Sequence, residues 1–267
     1  MLKIGIGIIT CNRTDFLGKC VKSMHQDWYD EAVIINDGDK PITEFYGFDI
    51  INNETNVGVC KSKNKALQDL LDKGCDYIFL IEDDMKLNGN VFEAYINAHK
   101  ETGIHHFSFG YHGPANRGNV SRSKGGVPTP RKVIDYGDRL IALNMHSVGA
   151  LCFYTRKALE DVGLFDEDFD KNNFEHVEHS YRLAKAGYST PYWWWADLAN
   201  SHHYISEQAC SEENSSIRRG DDWQKAIMDS AYLFKEKHGV MPAWQNAVPD
   251  TPFDEILKLL KGMYNDR

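Results

Sequence analysis

A buried strand that ends in three carboxylates constrains the fold of this chain more than any other feature. Residues 77–81 are apolar, too few for a helix and rich in β-branched and aromatic side chains, which is typical of an inner strand of a parallel sheet. The strand runs directly into Glu82, Asp83 and Asp84. Because carboxylates this close repel one another, the pattern predicts a divalent cation with a phosphate ligand at the carboxyl end of the strand. A solvated acidic turn is the alternative.

Length, charge and composition exclude several classes of protein. A chain of 267 residues is long enough to bury a core, and its net charge of -9 disfavours a surface that binds nucleic acid throughout. We find no apolar run of about 18 residues and no basic leader before the first strand pattern, and we therefore expect a cytoplasmic protein without a transmembrane segment. The six cysteines contain no CxxC pair and are expected to be reduced packing residues.

Polar residues also follow the other predicted strands. The apolar run 3–10 ends in Thr10, Cys11, Asn12 and Arg13, and the run 32–36 ends in Asp37. The carboxyl ends of parallel strands meet at one edge of a sheet, so these residues are expected to lie near Asp83. Asp37 is able to accept a hydrogen bond from a nucleobase, although Asp37-Gly38 is equally typical of a simple turn.

Lysines cluster at the start of a helix predicted over residues 59–73. Lys61, Lys63 and Lys65 lie on or beside its first turns, where the helix dipole does not favour positive charge. A bound anion explains their placement, and a solvated lysine face is the alternative.

The second half of the chain carries a candidate base. A long basic loop is predicted over residues 113–132, followed by a strand over 146–155 in which Gly149 marks a close approach. A helix then begins at Glu175, with Val177, Tyr181 and Ala184 predicted as its buried stripe. Glu175 is a candidate proton acceptor, whereas Glu178 and Arg182 have the spacing of an ordinary ion pair.

Five separated segments together resemble family 2 glycosyltransferases with a GT-A fold. They occur in the order that this family uses, at residues 10–13, 34–39, 56–64, 80–84 and 148–187. The resemblance implies an α/β fold, a Rossmann-like and mostly parallel central sheet flanked by helices, with a helical C-terminal extension. It also implies a nucleotide-sugar-binding half at 1–110, an acceptor-binding and catalytic half of the same domain at 111–204, and the extension at 205–267.

The resemblance implies a role for each matching residue. Asp84 is expected to hold Mn²⁺ or Mg²⁺ directly, with His202 or His203 as a further ligand. Glu175 is expected to be the general base, with Glu178 as the alternative because the Glu-Asp pair frequent in the family is Glu175-His176 here. The residues expected to bind the nucleotide-diphosphate sugar are Thr10, Asn12, Arg13, Asp37, Lys61, Asn64, Glu82 and Asp83.

The implied reaction is metal-dependent transfer of a sugar from a nucleotide-diphosphate sugar, usually a UDP-sugar, to an acceptor hydroxyl on a saccharide or glycoconjugate. One base without a carboxylate nucleophile implies inversion at the anomeric carbon. Two alternatives are a phage-type enzyme that acts on hydroxymethylated pyrimidine in DNA, favoured by the basic loop and by Arg218 and Arg219, and a nucleotide-sugar-binding protein without turnover.

Overall fold

The computed structural model describes residues 2–110, 131–135, 140–144, 148–169, 174–190, 195–208 and 221–242. Several predicted features lie outside these residues: most of the basic loop, Arg218 and Arg219, the tryptophans at 193 and 194, and a helix predicted over residues 253–263. Among the described helices, none combines the length and the apolar character that a membrane crossing requires. The five cysteines within the described ranges form no disulfide bond, and four of them are buried, in agreement with the prediction of packing residues.

The strands and helices alternate along the first half of the chain. The strands are β1 (Ile4–Thr10), β2 (Glu31–Asn36), β3 (Asp49–Asn52), β4 (Tyr77–Glu82), β5 (Met85–Leu87), β6 (His106–Ser108), β7 (Arg131–Asp135), β8 (Leu140–Asn144), β9 (Leu151–Thr155), β10 (Trp195–Leu198) and β11 (Ile205–Glu207). The helices are α1 (Thr14–Lys22), α2 (Val59–Asp72), α3 (Val91–Thr102), α4 (Arg156–Val162), α5 (Glu175–Lys185), α6 (Ser201–Tyr204) and α7 (Asp221–His238).

The central sheet has six strands in the order β3-β2-β1-β4-β9-β6. The first four are parallel, while β9 runs antiparallel to both β4 and β6. The strand predicted around residues 77–81 is therefore a central parallel strand, and its residues Ile78 to Ile81 are at most 1% exposed. Burial on both faces explains why the strand is apolar without alternation.

Helices cover the sheet on both faces. One core cluster joins α1 and α3 to the sheet, and a second joins α2, α4 and α5 to the opposite face. The glycines of β1 allow α2 to approach closely, because a Cβ on Gly7 would lie 2.8 Å from the Cβ of Ala66. Helix α7 packs on α5 through a third cluster that includes Tyr181 and Phe234.

Two features differ from the prediction. Strand β8 pairs with both β7 and β10 in a small antiparallel sheet, which the sequence patterns did not predict. The buried stripe of α5 also differs from the prediction, since Val177 and Ala184 are only half-buried, whereas Glu175, Glu178 and His179 are buried together with Tyr181. The reason is that α5 is covered both by the sheet and by α7, so its polar face is not left to solvent.

Candidate active site

The polar ends of β1, β2 and β4 meet at one edge of the sheet. The parallel register aligns Thr10 with Asn36 and Ile9 with Glu82. The predicted convergence of the segments after these strands is therefore confirmed. Two groups of ion pairs lie at this edge, one centred on Arg13 and the other on Lys63.

Arg13 is the centre of the first group. It donates to Asp83 through both Nε and Nη2 and to Oδ2 of Asp84 through Nη1 at 3.2 Å. Asp83 also accepts a hydrogen bond from the Thr10 hydroxyl at 2.6 Å. Burial raises the pKa of Asp83 to about 7, although Arg13 and Thr10 act in the opposite direction. Two adjacent carboxyl groups thus converge on a single cationic group.

Lys63 is the centre of the second group. Its Nζ atom donates to Oε1 of Glu175 at 2.8 Å and lies 3.8 Å from Oε1 of Glu82. Burial opposes ionisation of Glu175, but the adjacent Lys63 ammonium and then His176 outweigh it and hold the pKa of Glu175 well below its ordinary value. Burial likewise lowers the pKa of Lys63, but the carboxylates of Glu175 and Glu82 raise it overall.

Gly149 allows the second group to form. A Cβ at this position would lie 3.0 Å from Cγ of His176 and 3.1 Å from Nζ of Lys63, so any side chain here would displace one of them. The prediction of a close approach at Gly149 is confirmed, and the group that approaches is the Lys63–Glu175 pair with its neighbour His176.

Asp37 connects β2 to the start of α2. Its carboxylate accepts hydrogen bonds from the backbone N–H groups of Val57 and Gly58 and from the side chain of Asn53, at 2.7–2.9 Å. A polar cavity of about 590 Å³ lies next to it, lined by Gly38, Asp39, Pro41 and residues 52–56. The arrangement combines a buried acceptor with a space at the sheet edge.

Asn12, Asn64 and Lys61 surround this edge in different ways. Asn12 has a positive φ of 57° and exchanges hydrogen bonds with Asp39, which joins the loops after β1 and β2. Both ends of the Asn64 amide are taken up by the backbone of Phe165, so its side chain holds the segment after α4 against α2. Lys61 is exposed in the first turn of α2.

His202 and His203 lie apart from Asp84. Both are exposed on α6, and the antiparallel pairing of β11 with β5 places Glu207 beside Met85 and Ile205 beside Leu87. This register brings Glu207 towards Asp84 and leaves the histidines beyond the opposite end of β5. It does not support the metal role predicted for either histidine, and in the described part of the chain no group of three or more His, Cys, Asp or Glu is arranged to hold a metal ion.

Glu178 has different surroundings from Glu175. Its Oε1 atom accepts a hydrogen bond from Nε of Arg182 at 2.7 Å and lies 3.1 Å from Nε2 of His238 in α7. The ion pair predicted from the spacing of Glu178 and Arg182 is therefore confirmed. The second partner, His238, joins α5 to the C-terminal helix.

Sequence reasoning missed Lys63 as the partner of Glu175. It grouped Lys63 with Lys61 and Lys65 as an anion-binding cluster, yet Lys63 is only 2% exposed. A signal for this burial was present, because Lys63 lies three residues after Cys60 and four before Leu67 on the apolar stripe of α2. A lysine within such a stripe needs a carboxylate partner from another element.

Comparisons with known proteins agree with this architecture. The family model "Glycosyl transferase family 2" matches residues 6–163, more than half of the chain. The uncharacterized glycosyltransferase R363 of Acanthamoeba polyphaga mimivirus is 31% identical over 194 residues, which cover 70% of this chain and 71% of that protein.

Solved structures with low sequence identity share the fold. S. aureus TarS superposes with a TM-score of 0.53 at 14% identity and covers 95% of this chain, which spans 46% of the TarS chain. TarS 1–349 in complex with UDP-GlcNAc has a TM-score of 0.55 at 12% identity, with 99% of this chain and 72% of that chain covered. The mannosyltransferase PcManGT from Pyrobaculum calidifontis, in complex with GDP-Man and Mn²⁺, has a TM-score of 0.53 at 11% identity, with 98% and 69% covered. These matches confirm the predicted fold class.

Proposed function

The chain belongs to glycosyl transferase family 2 and is a glycosyltransferase with a GT-A fold. We propose that it transfers a sugar from a UDP-sugar to a saccharide hydroxyl with inversion of the anomeric configuration, assisted by Mn²⁺ or Mg²⁺. The observation that carries the proposal is the pair of ion-paired groups at the end of β4. In the first group, the carboxylates of Asp83 and Asp84 converge on the Arg13 guanidinium. In the second group, Lys63 pairs with the buried, ionised carboxylate of Glu175.

We assign donor binding to the half of the domain at 1–110. The cavity beside Asp37 has room for the nucleobase, and the Asp37 carboxylate is able to accept a base N–H. Thr10 and Asn12 shape the adjoining loop, while Arg13 and Lys61 supply positive charge for the diphosphate. Glu82 and Asp83 face the ribose, directly or through water.

Asp84 and Asp83 fit a divalent cation because their carboxyl groups already converge on one cationic group, the Arg13 guanidinium. Carboxylate oxygens are the ligands that Mg²⁺ and Mn²⁺ prefer. When bound, the cation would stabilise the negative charge that develops on the departing diphosphate. Asp84 would be its direct ligand, and Arg13 would then be available to the diphosphate oxygens.

We assign catalysis and acceptor binding to the half at 111–204, with 205–267 as an extension that begins with the strand β11 and includes the helix α7. Glu175 is the proposed base, since the Lys63 ammonium keeps it ionised in the neutral range and therefore ready to accept the acceptor hydroxyl proton. The same pairing weakens its proton affinity. A small shift of Lys63 towards Glu82, only 3.8 Å away, would restore that affinity as the proton moves.

The test is a panel of nucleotide sugars incubated with the protein and a mixture of acceptor saccharides. We expect release of nucleotide from a UDP-sugar in the presence of Mn²⁺, loss of release with excess EDTA, and a product whose anomeric configuration, read by NMR, is opposite to that of the donor. A GDP-sugar as the preferred donor would correct the donor assignment. Retention of configuration would refute the single-base mechanism.

A further inference from the structure

A second cavity of about 410 Å³ is lined by Lys19, Lys22, Ser23, Lys86 and Gln208, and we refer to it as the basic pocket. Two of its lysines come from α1 and one from β5, so three positive charges from separate elements face one space. Its volume lies within the range of roughly 300–1,000 Å³ that is typical of small-molecule sites.

Within the described residues, no acidic side chain balances the lysines of the basic pocket. Other lysines of this chain pair with acids, as Lys3 does with Glu31 and Lys157 with Asp161. In the described ranges, by contrast, no carboxylate lies within 4.0 Å of the ammonium groups that line the pocket. An excess of basic residues in the chain does not explain this lysine cluster, because acidic residues outnumber basic ones and the net charge is -9. An anion bound among these lysines converts their mutual repulsion into attraction.

Aromatic rings hold two of the lysines in place. The ammonium group of Lys22 lies 5.5 Å from the centre of the Tyr46 ring, and that of Lys19 lies 5.7 Å from the Phe16 ring. Such contacts restrict the side chains without neutralising them. The cost of ordering the lysines around a ligand is correspondingly reduced.

Gln208 connects the two elements that carry these lysines. Its Nε2 atom donates to the carbonyl oxygens of Phe16 in α1 and Met85 in β5 at 3.1 and 3.0 Å, which fixes the position of the side chain. The polar groups that the pocket offers to a ligand are therefore its three cationic donors, a set that complements an oxyanion.

We propose that the basic pocket binds a phosphate group, either as free phosphate or as the phosphate ester of a sugar. Phosphate carries about two negative charges near neutral pH and offers several oxygens to the lysines. The backbone N–H of Gln208 donates to the carbonyl oxygen of Asp84 at 2.8 Å. Gln208 therefore joins the pocket to the segment that follows the acidic end of β4.

The test is calorimetric titration of the whole protein with inorganic phosphate, in EDTA and at an ionic strength held constant with sodium chloride. We expect binding at one site that becomes about tenfold weaker in the variant Lys19→Met/Lys86→Met, because two of the three ammonium groups that attract the anion are removed. The variant Lys100→Met/Lys235→Met removes the same charge from exposed positions on α3 and α7 and is expected to bind phosphate as the original chain does.

A second titration with glucose 6-phosphate distinguishes the two sources of the group. Binding several-fold tighter than that of inorganic phosphate would identify a phosphorylated sugar, and equal or weaker binding would identify free phosphate; both support the pocket. Equal phosphate affinity in the two double variants, or no binding at constant ionic strength, would overturn the proposal. Neither titration contains a donor, so their outcome is independent of the proposed transfer reaction.

Discussion

Glu175 and Glu178 lie three residues apart on α5 and are both buried, yet their surroundings differ completely. Glu175 pairs with Lys63 from α2, whose ammonium group also lies 3.8 Å from Glu82 at the end of β4. Glu178 pairs with Arg182 of its own helix and with His238 of α7. The partners of a carboxylate therefore depend on the element that packs against it, and its position along the helix is not enough to predict them.

The partners of Glu178 point to a structural role. Arg182 also donates to the carbonyl oxygens of Val162 and Leu164, so the Glu178–Arg182 pair holds the end of α4 and the loop after it. His238 adds the end of α7 to the same cluster. Glu178 therefore connects helices, whereas Glu175 connects a helix to the edge of the sheet where the strands end.

Exchanging each glutamate for glutamine is the strongest test of this comparison. Glu175→Gln removes the proposed proton acceptor, and we expect transfer to fall about 10²–10⁴-fold while UDP binding, measured by calorimetry, changes little. Glu178→Gln is expected to keep most activity but to unfold about 1–3 kcal/mol more easily in a denaturant titration, because it weakens a buried pair. A folded Glu178→Gln variant that binds UDP but does not transfer the sugar would identify Glu178, and not Glu175, as the base.

The substitution Asp84→Asn tests whether the Asp84 carboxylate binds the divalent cation. We expect Mn²⁺-dependent transfer to fall about 10²–10³-fold, since the cation supplies several kcal/mol of charge stabilisation to the leaving group. Mn²⁺ binding followed by electron paramagnetic resonance should weaken in parallel. The matched control is Asp166→Asn, whose carboxylate pairs with Lys237 of α7; an equal loss of Mn²⁺ binding in that variant would contradict the assignment.

Lys63→Met isolates what the partner contributes to Glu175. Without the ammonium group, burial dominates and the pKa of Glu175 rises. The acidic limb of the profile of kcat/KM against pH should therefore move to higher pH, with a loss of about tenfold near pH 6. Lys100→Met, which removes an exposed charge from α3, should leave the profile in place. An unshifted profile in folded Lys63→Met would mean that Glu175 is not the base.

Asp197 offers a buried carboxylate without a cationic partner and gives the smallest expected effect. It accepts hydrogen bonds from Tyr95, Ser201 and two backbone N–H groups, and burial raises its pKa to about 6. The folded state therefore holds this proton more tightly than the unfolded state. Its stabilising contribution is complete below about pH 4 and is lost as the pH rises to about 6.

Asp197→Asn cannot titrate, so it should remove that part of the pH dependence. We expect the free energy of unfolding of the original chain, minus that of the variant, to fall by at most about 3 kcal/mol between pH 4 and pH 6, since one pKa unit corresponds to about 1.4 kcal/mol. Thermal unfolding at several pH values measures this difference. A constant difference across the window would show that Asp197 is ionised throughout it.

Local patterns along the chain predicted most of the elements. The helix α2 begins at the predicted residue and ends one residue earlier than predicted. Apolar runs predicted the parallel strands, because a strand buried on both faces must be apolar at every position. The order of the polar strand ends was sufficient to predict the family.

The pairing between distant segments could not be predicted from such patterns. Lys63 and Glu175 are 112 residues apart, and the spacing within either helix does not reveal the other. The same holds for β11, whose register against β5 places Glu207, and not His202 or His203, towards Asp84.

The sequence by itself determined the strands, the helices and the acidic end of β4, because hydrophobic periodicity and turn chemistry act over a few residues. The tertiary structure decided which charged side chains form ion pairs with one another. That choice depends on how α2, α5 and α7 pack against the sheet, and burial makes the cost of an unpaired charge high enough to select the partners.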